Sequence, residues 1–133
     1  MTITMLGPQR HQERYLARAE SVPHARRGVA QALISWGLEP VAAAAESIVA
    51  ELAANAVLHT DAQYFGVSVT RISAARVRLV VTDPDATRPH AEGPAEDDEH
   101  GRGLLIVSAL AACWGADRVH GGKRMWAELE VTR

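Results

Sequence analysis

The stretch ESIVAELAANAVLHTDAQYFGVSVT, Glu46 to Thr70, changes its hydrophobic period half-way along. In its first part Ile48, Val49, Leu52 and Ala56, with Ala45 just before, recur at three- and four-residue steps. That is the repeat of one face of an α-helix, and it predicts a helix from near Pro40 to about His59. In the second part Phe65, Val67 and Val69 alternate with more polar neighbours, the two-residue repeat of a half-buried strand.

The same two periods extend outward in both directions. Val22, Val29, Leu33 and Trp36 predict an earlier helix, with Ser21 as its N-cap, Pro23 in its first turn and Gly37 as its stop. Residues 1–20 read as a flexible polar extension, leaving 21–133 as a single domain. Downstream, Val77, Leu79 and Val81 predict a second strand, joined to the first by a hairpin at Ser73–Ala75. From Pro84 to His100 the periodicity is lost, and prolines, a glycine and five acids gather between Pro89 and His100. A loop of that length in a small domain is usually functional or disordered. A third helix is predicted from about Gly103 to Cys113, stopped by Gly115. Two closing strands follow, around Arg118–His120 and over Met125, Ala127, Leu129 and Val131, with Gly121–Gly122 as their turn. The order α-α-β-β-α-β-β implies a two-layer α+β sandwich, its mixed, mainly antiparallel sheet covered by three helices on one face.

Composition narrows the function. The chain has 133 residues, of which 47% are hydrophobic, enough for one domain with a real core. Fourteen basic residues nearly balance sixteen acidic ones, so bulk charge does not point to nucleic acid or an anionic membrane as partner. No uninterrupted apolar run reaches the ~18 residues of a membrane span. The N-terminal MTITMLGPQRHQERY lacks the apolar core of a signal peptide. The lone Cys113 excludes an intramolecular disulfide and fits a cytoplasmic setting. There is no G-x-S-x-G, no H-x-x-x-H and no cysteine cluster for zinc. His24, His59, His90 and His120 read as surface or satisfied histidines, and Trp36, Trp114 and Trp126 as packing residues.

Three short motifs carry potential chemistry. In ELAAN, Glu51 and Asn55 share one edge of the second helix, and Asn55 falls on its apolar side. A buried amide needs partners. Asn55 is therefore either bonded to a neighbouring loop, or a ligand offering its side-chain oxygen to Mg²⁺, with Glu51 as base or water-orienting group. In VVTDPD, Asp83 closes an apolar strand. It is either a turn starter before Pro84 or a carboxylate that accepts a hydrogen bond from an exocyclic amine such as that of adenine. In EHGRGLL, Gly101 and Gly103 precede a helix. They either ease the turn or bare backbone N–H groups for a phosphate. This is neither a P-loop, since no Gly-Lys-Ser/Thr follows, nor a dinucleotide fingerprint, since Ile106 stands at the third glycine position.

Together, Glu-x-x-x-Asn on a helix, Asp after a strand, a long loop and Gly-x-Gly opening a helix resemble the GHKL ATPase superfamily with its Bergerat nucleotide-binding fold. Within it, ELAANAVLHT, VTDPD, DDEHGRGLLIVSALAACWG and KRMWAEL are most similar to the small ATP-binding proteins related to anti-sigma-factor serine kinases. The resemblance implies ATP and Mg²⁺ as cofactors. It implies that Asn55 binds Mg²⁺, that Glu51 is the base near the γ-phosphate, and that Asp83 takes the adenine amine. It implies phosphate contacts through the backbone of Gly101, Arg102, Gly103 and Leu104, and an ATP lid over Thr87–His100. It also implies a sigma factor and a STAS-type anti-anti-sigma protein as partners, with phosphorylation of a serine on the latter, and a homodimer. The alternative function is an ATP-dependent binding switch without phosphotransfer. Two positions depart from the family pattern. Asp85 and Thr87 stand where glycines are expected, and their Cβ atoms restrict the backbone beside the base. Arg124 replaces a threonine and is expected to remove a hydroxyl near adenine. Both changes are expected to weaken ATP binding without abolishing it.

Overall fold

A computed structural model of the protein describes residues 9–84, 104–119 and 121–131. Its elements are β1 (Arg10–Leu16), α1 (Ser21–Ser35), a 3-10 turn at Glu39–Val41, α2 (Ala42–His59), β2 (Tyr64–Ser73), β3 (Arg76–Asp83), a helix α3 over 104–110, β4 (Cys113–Val119) and β5 (Gly122–Glu130). The strands form one sheet in the order β1-β2-β3-β5-β4. Every pairing among them is antiparallel, so the expected α+β sandwich is present with no parallel pair among the described strands.

The alternation read from the sequence puts Phe65, Val67 and Val69 of β2 and Val77, Leu79 and Val81 of β3 on the face toward the helices, all buried. Ala45, Ile48, Val49, Leu52, Ala53 and Ala56 of α2 and Ala25, Val29 and Leu33 of α1 meet them. Full burial of side chains such as Phe65, Ile48, Leu52 and Leu79 contributes about 1.5–3 kcal/mol each. By length and composition Glu39–His59 would pass for a membrane-spanning helix, with a mean hydropathy of 1.5 over 18 residues. Its apolar side is instead the centre of this core.

α1 ends as expected at Gly37, whose φ of 78° suits glycine. The Leu38 N–H donates to the Leu33 carbonyl (2.8 Å) and the Gly37 N–H to Ile34 (3.0 Å), the paired bonds of a Schellman stop. The start differs from expectation. Ser21 is the first helical residue, Glu20 is the cap, and no side chain caps the helix. The first turn draws on backbone instead: the N–H groups of Ser21 and Val22 donate to the carbonyls of Arg18 and Ala19.

Two further expectations are corrected. The supposed extension contains β1, which pairs along its whole length with β2 from Arg10↔Thr70 to Leu16↔Tyr64. An edge strand buries little, so its sequence RHQERYL carries almost no hydrophobic signal beyond Tyr15, which stacks on Phe65. Gly115 does not stop a helix. Helix α3 is described only to residue 110, and Cys113, Trp114 and Gly115 open β4. A Cβ at Gly115 would come within 2.8 Å of the Trp126 ring, so glycine here makes room for a cross-strand indole.

The other sheet face has no helix among the described residues. There Glu128, buried among strands, accepts from Arg78 Nε and Nη2 (2.9 and 2.7 Å) and from Arg76 Nη1 (3.0 Å). Burial works to raise the Glu128 pKa, but the hydrogen bonds from Arg78 and Arg76 outweigh it and hold the carboxyl below its ordinary value. A depressed folded pKa means stabilisation that is present above the unfolded carboxylate pKa and lost as pH falls through the folded one. Glu128→Gln is expected to cost about 1 kcal/mol near neutrality, because both arginines reach solvent and are screened. Thermal melts between about pH 7 and pH 3 should show a shallower loss of stability in the variant than in the wild type.

Candidate functional site

The site is built where α2, β3 and β5 meet. Asp83 continues the inward series Val77, Leu79, Val81 and so faces α2 rather than solvent, only 6% exposed. On α2, Asn55 is half-buried one turn after Glu51, which is also half-buried. β5 sets Lys123 opposite Asp83 and Met125 opposite Val81. Leu52, Asn55, Ala56, Val81, Asp83, Lys123 and Met125 therefore line one cleft. Two carriers of the sequence motifs, Asn55 and Asp83, are brought together from positions far apart in the chain. Glu51 is not among the residues lining that cleft.

A buried carboxylate needs donors. Thr60 Oγ1 supplies one to Asp83 Oδ1 at 2.6 Å. Thr60 is itself held twice: its N–H caps α2 on the Ala56 carbonyl (2.9 Å), and its hydroxyl accepts from the Ala62 N–H (2.9 Å). Gly122 packs against the backbone at Asp83 and Pro84. A Cβ there would overlap the Asp83 carbonyl oxygen and come within 2.8 Å of Pro84 Cα.

Thr60, Gly122 and Lys123 were not singled out by sequence reasoning. For Lys123 a signal existed, since it lies two residues before Met125 on the inward face. For Thr60 the hints were the helix end after His59 and its place as the last residue of ELAANAVLHT. Arg124 requires a correction. Strand alternation sends it to the opposite sheet face, where its Nη2 donates to Asp117 Oδ2 at 2.9 Å. Its arginine thus removes no hydroxyl from the side on which Asp83 lies, and Thr60 brings a hydroxyl to that carboxylate instead.

Leu104 is the first described residue of α3, half-buried against the core. Asp85, Thr87, the expected lid Thr87–His100 and Gly101, Arg102 and Gly103 lie outside the described residues. A larger groove, about 640 Å³, lies on the far sheet face, lined among others by Arg14, Arg78, Val80, Thr82 and Arg124. The sheet separates it from Asn55 and Asp83, and Arg78 and Arg124 there are already paired with Glu128 and Asp117.

The model of the histidine kinase-like ATPase domain matches residues 15–128. The chain belongs to that family. The matched span runs from the end of β1 into β5, so it takes in Glu51, Asn55, Asp83 and the Gly101–Gly103 stretch. A comparison with curated proteins gave no match. Membership makes ATP the ligand of this ATPase domain. The chemistry of the cleft suits that ligand: acceptor oxygens on Asn55 and Asp83, a lysine, and apolar walls from Leu52, Val81 and Met125.

Proposed function

We propose that this ATPase domain is a Mg²⁺-ATP-dependent regulator of the anti-sigma kinase type, cytoplasmic, which binds a sigma factor and phosphorylates a serine on a STAS-type anti-anti-sigma protein. The observation that carries the reading is the meeting of Asn55 and Asp83 in one cleft, with Glu51 one helical turn away. Asp83 accepts from the adenine amine, which places the base at the β3 end of the cleft and the phosphates toward α2 and the start of α3. The donor set fits magnesium. Among the described residues no group of three or more His, Cys, Asp or Glu side chains forms a metal cage, and Mg²⁺ is typically held by one or two protein oxygens together with phosphates and water. Asn55 supplies such an oxygen, and the ion when bound neutralises charge on the transferring phosphate. The serine hydroxyl of the partner attacks the γ-phosphorus, the bond to the bridging oxygen of ADP breaks, ADP leaves, and Glu51 takes the hydroxyl proton.

Glu51→Ala is expected to bind ATP with near wild-type affinity and to lose phosphate transfer to a STAS protein by about 10²–10⁴-fold, the usual contribution of a general base. Radiolabel transfer from ATP measures it. A wild-type domain that binds ATP and labels no such serine would favour the second reading, a binding switch without transfer. Asp85 and Thr87 at glycine positions speak for that second reading, since they change the residues that follow Asp83 in the chain and leave the Glu-x-x-x-Asn motif intact.

A further inference from the structure

We propose that Thr60 is the positioning residue that makes the site selective for 6-amino purines. The inference rests on the reading that Asp83 takes the adenine amine, and it assigns the precision of that contact to Thr60, the last residue of ELAANAVLHT, to which the resemblance gave no role. A threonine hydroxyl has one proton to give. At Thr60 the Ala62 N–H points into the oxygen at 2.9 Å, so the proton is directed at Asp83 Oδ1, 2.6 Å away. The hydroxyl cannot wander, because the Thr60 N–H is tied to the Ala56 carbonyl and the residue closes α2. The result is a one-way relay, Ala62 N–H to Thr60 O–H to Asp83, running from backbone to carboxylate.

That relay matters because Asp83 has a competitor for its charge in the same cleft. Lys123 is its register partner on β5 and lines the cavity beside it. An aspartate held only by Coulomb attraction turns toward the ammonium, which is indifferent to direction. A hydrogen bond fixes the carboxylate plane instead. With Oδ1 anchored by Thr60, the carboxylate stands as an acceptor in a set orientation. A base carrying an amine donates to it, and a base carrying only hydrogen does not. Discrimination against a ligand that lacks the donor is strongest where the site's polar group is rigid and buried, and Asp83 is both.

The test compares ATP with purine riboside triphosphate, which carries hydrogen in place of the amine, by calorimetry on the full chain. Wild type is expected to prefer ATP by roughly 10–100-fold, the value of a hydrogen bond to a charged group. Thr60→Val, similar in shape but without the proton, is expected to bring the preference to about threefold or less by weakening ATP alone. Thr60→Ser, which keeps the hydroxyl, is expected to restore most of it. Each ratio is taken on one variant, so a general loss of stability cancels. Equal binding of both nucleotides by wild type would overturn the Asp83 reading and this inference with it. A wild type that discriminates, with Thr60→Val discriminating equally, would overturn the role of Thr60 alone. Failure of Thr60→Ser to restore selectivity would overturn it as well.

Discussion

Asp83→Ala will weaken ATP binding about a hundredfold and leave a folded domain. A hydrogen bond to a charged group contributes about 1.5–3 kcal/mol, and the upper part of that range applies to a carboxylate only 6% exposed. The variant also strands the Thr60 hydroxyl, which now donates to Asp83 at 2.6 Å, so the unliganded domain should lose about 1–2 kcal/mol of stability. Two measurements separate these effects. Calorimetry reads the affinity. Thermal shift reads the coupling: ATP at a hundred times the wild-type Kd stabilises the wild type by about 2.7 kcal/mol, and at the same concentration the variant by only about 0.4 kcal/mol. An unchanged Kd would show that the base does not sit against β3.

Among the described glycines, Gly122→Ala will be the most damaging change of a single methyl group. The added Cβ overlaps the Asp83 carbonyl oxygen and crowds Pro84 Cα at 2.8 Å. Both neighbours are backbone, so no side chain can swing aside, and β3 and β5 must part at Asp83↔Lys123. Overpacking of this kind costs about 1–3 kcal/mol and occasionally more, and this contact belongs at or above the top of that range. ATP affinity should fall as well, because Asp83 is carried by the displaced strand end. Gly121→Ala is the control. Nothing lies within 4 Å of its Cβ, and its cost is that of a φ of 89° alone, about 1–2 kcal/mol, with affinity kept. Equal melting temperatures for the two variants would show that β3 and β5 do not approach this closely.

The parts of the fold that were legible from the sequence are those where one face is dry. Ile48, Val49, Leu52 and Ala56 on α2, and Phe65, Val67 and Val69 on β2, announce their elements because burial selects apolar residues at the period of the backbone. Where that pressure is absent the reading fails. β1 is an edge strand with mostly exposed side chains, so it passed for an extension. Gly115 looked like punctuation because the reason for it, the Trp126 ring, arrives from another strand.

The candidate site divides along the same line. The sequence by itself determined which residue types are present and in what order: an acid and an amide one turn apart on a helix, an aspartate at a strand end, a glycine pair before a helix. Those are local patterns, and they were enough to reach the family. Only the tertiary structure decided which of them meet. It brought Asn55 and Asp83 to one cleft with Lys123, sent Arg124 to the far face, set the Thr60 hydroxyl on the Asp83 carboxylate and packed Gly122 against the Asp83 backbone. The physical reason is that a side chain's side of a sheet follows from strand register, and its partners follow from how helices lie across that sheet. Neither is written within a few residues of the chain.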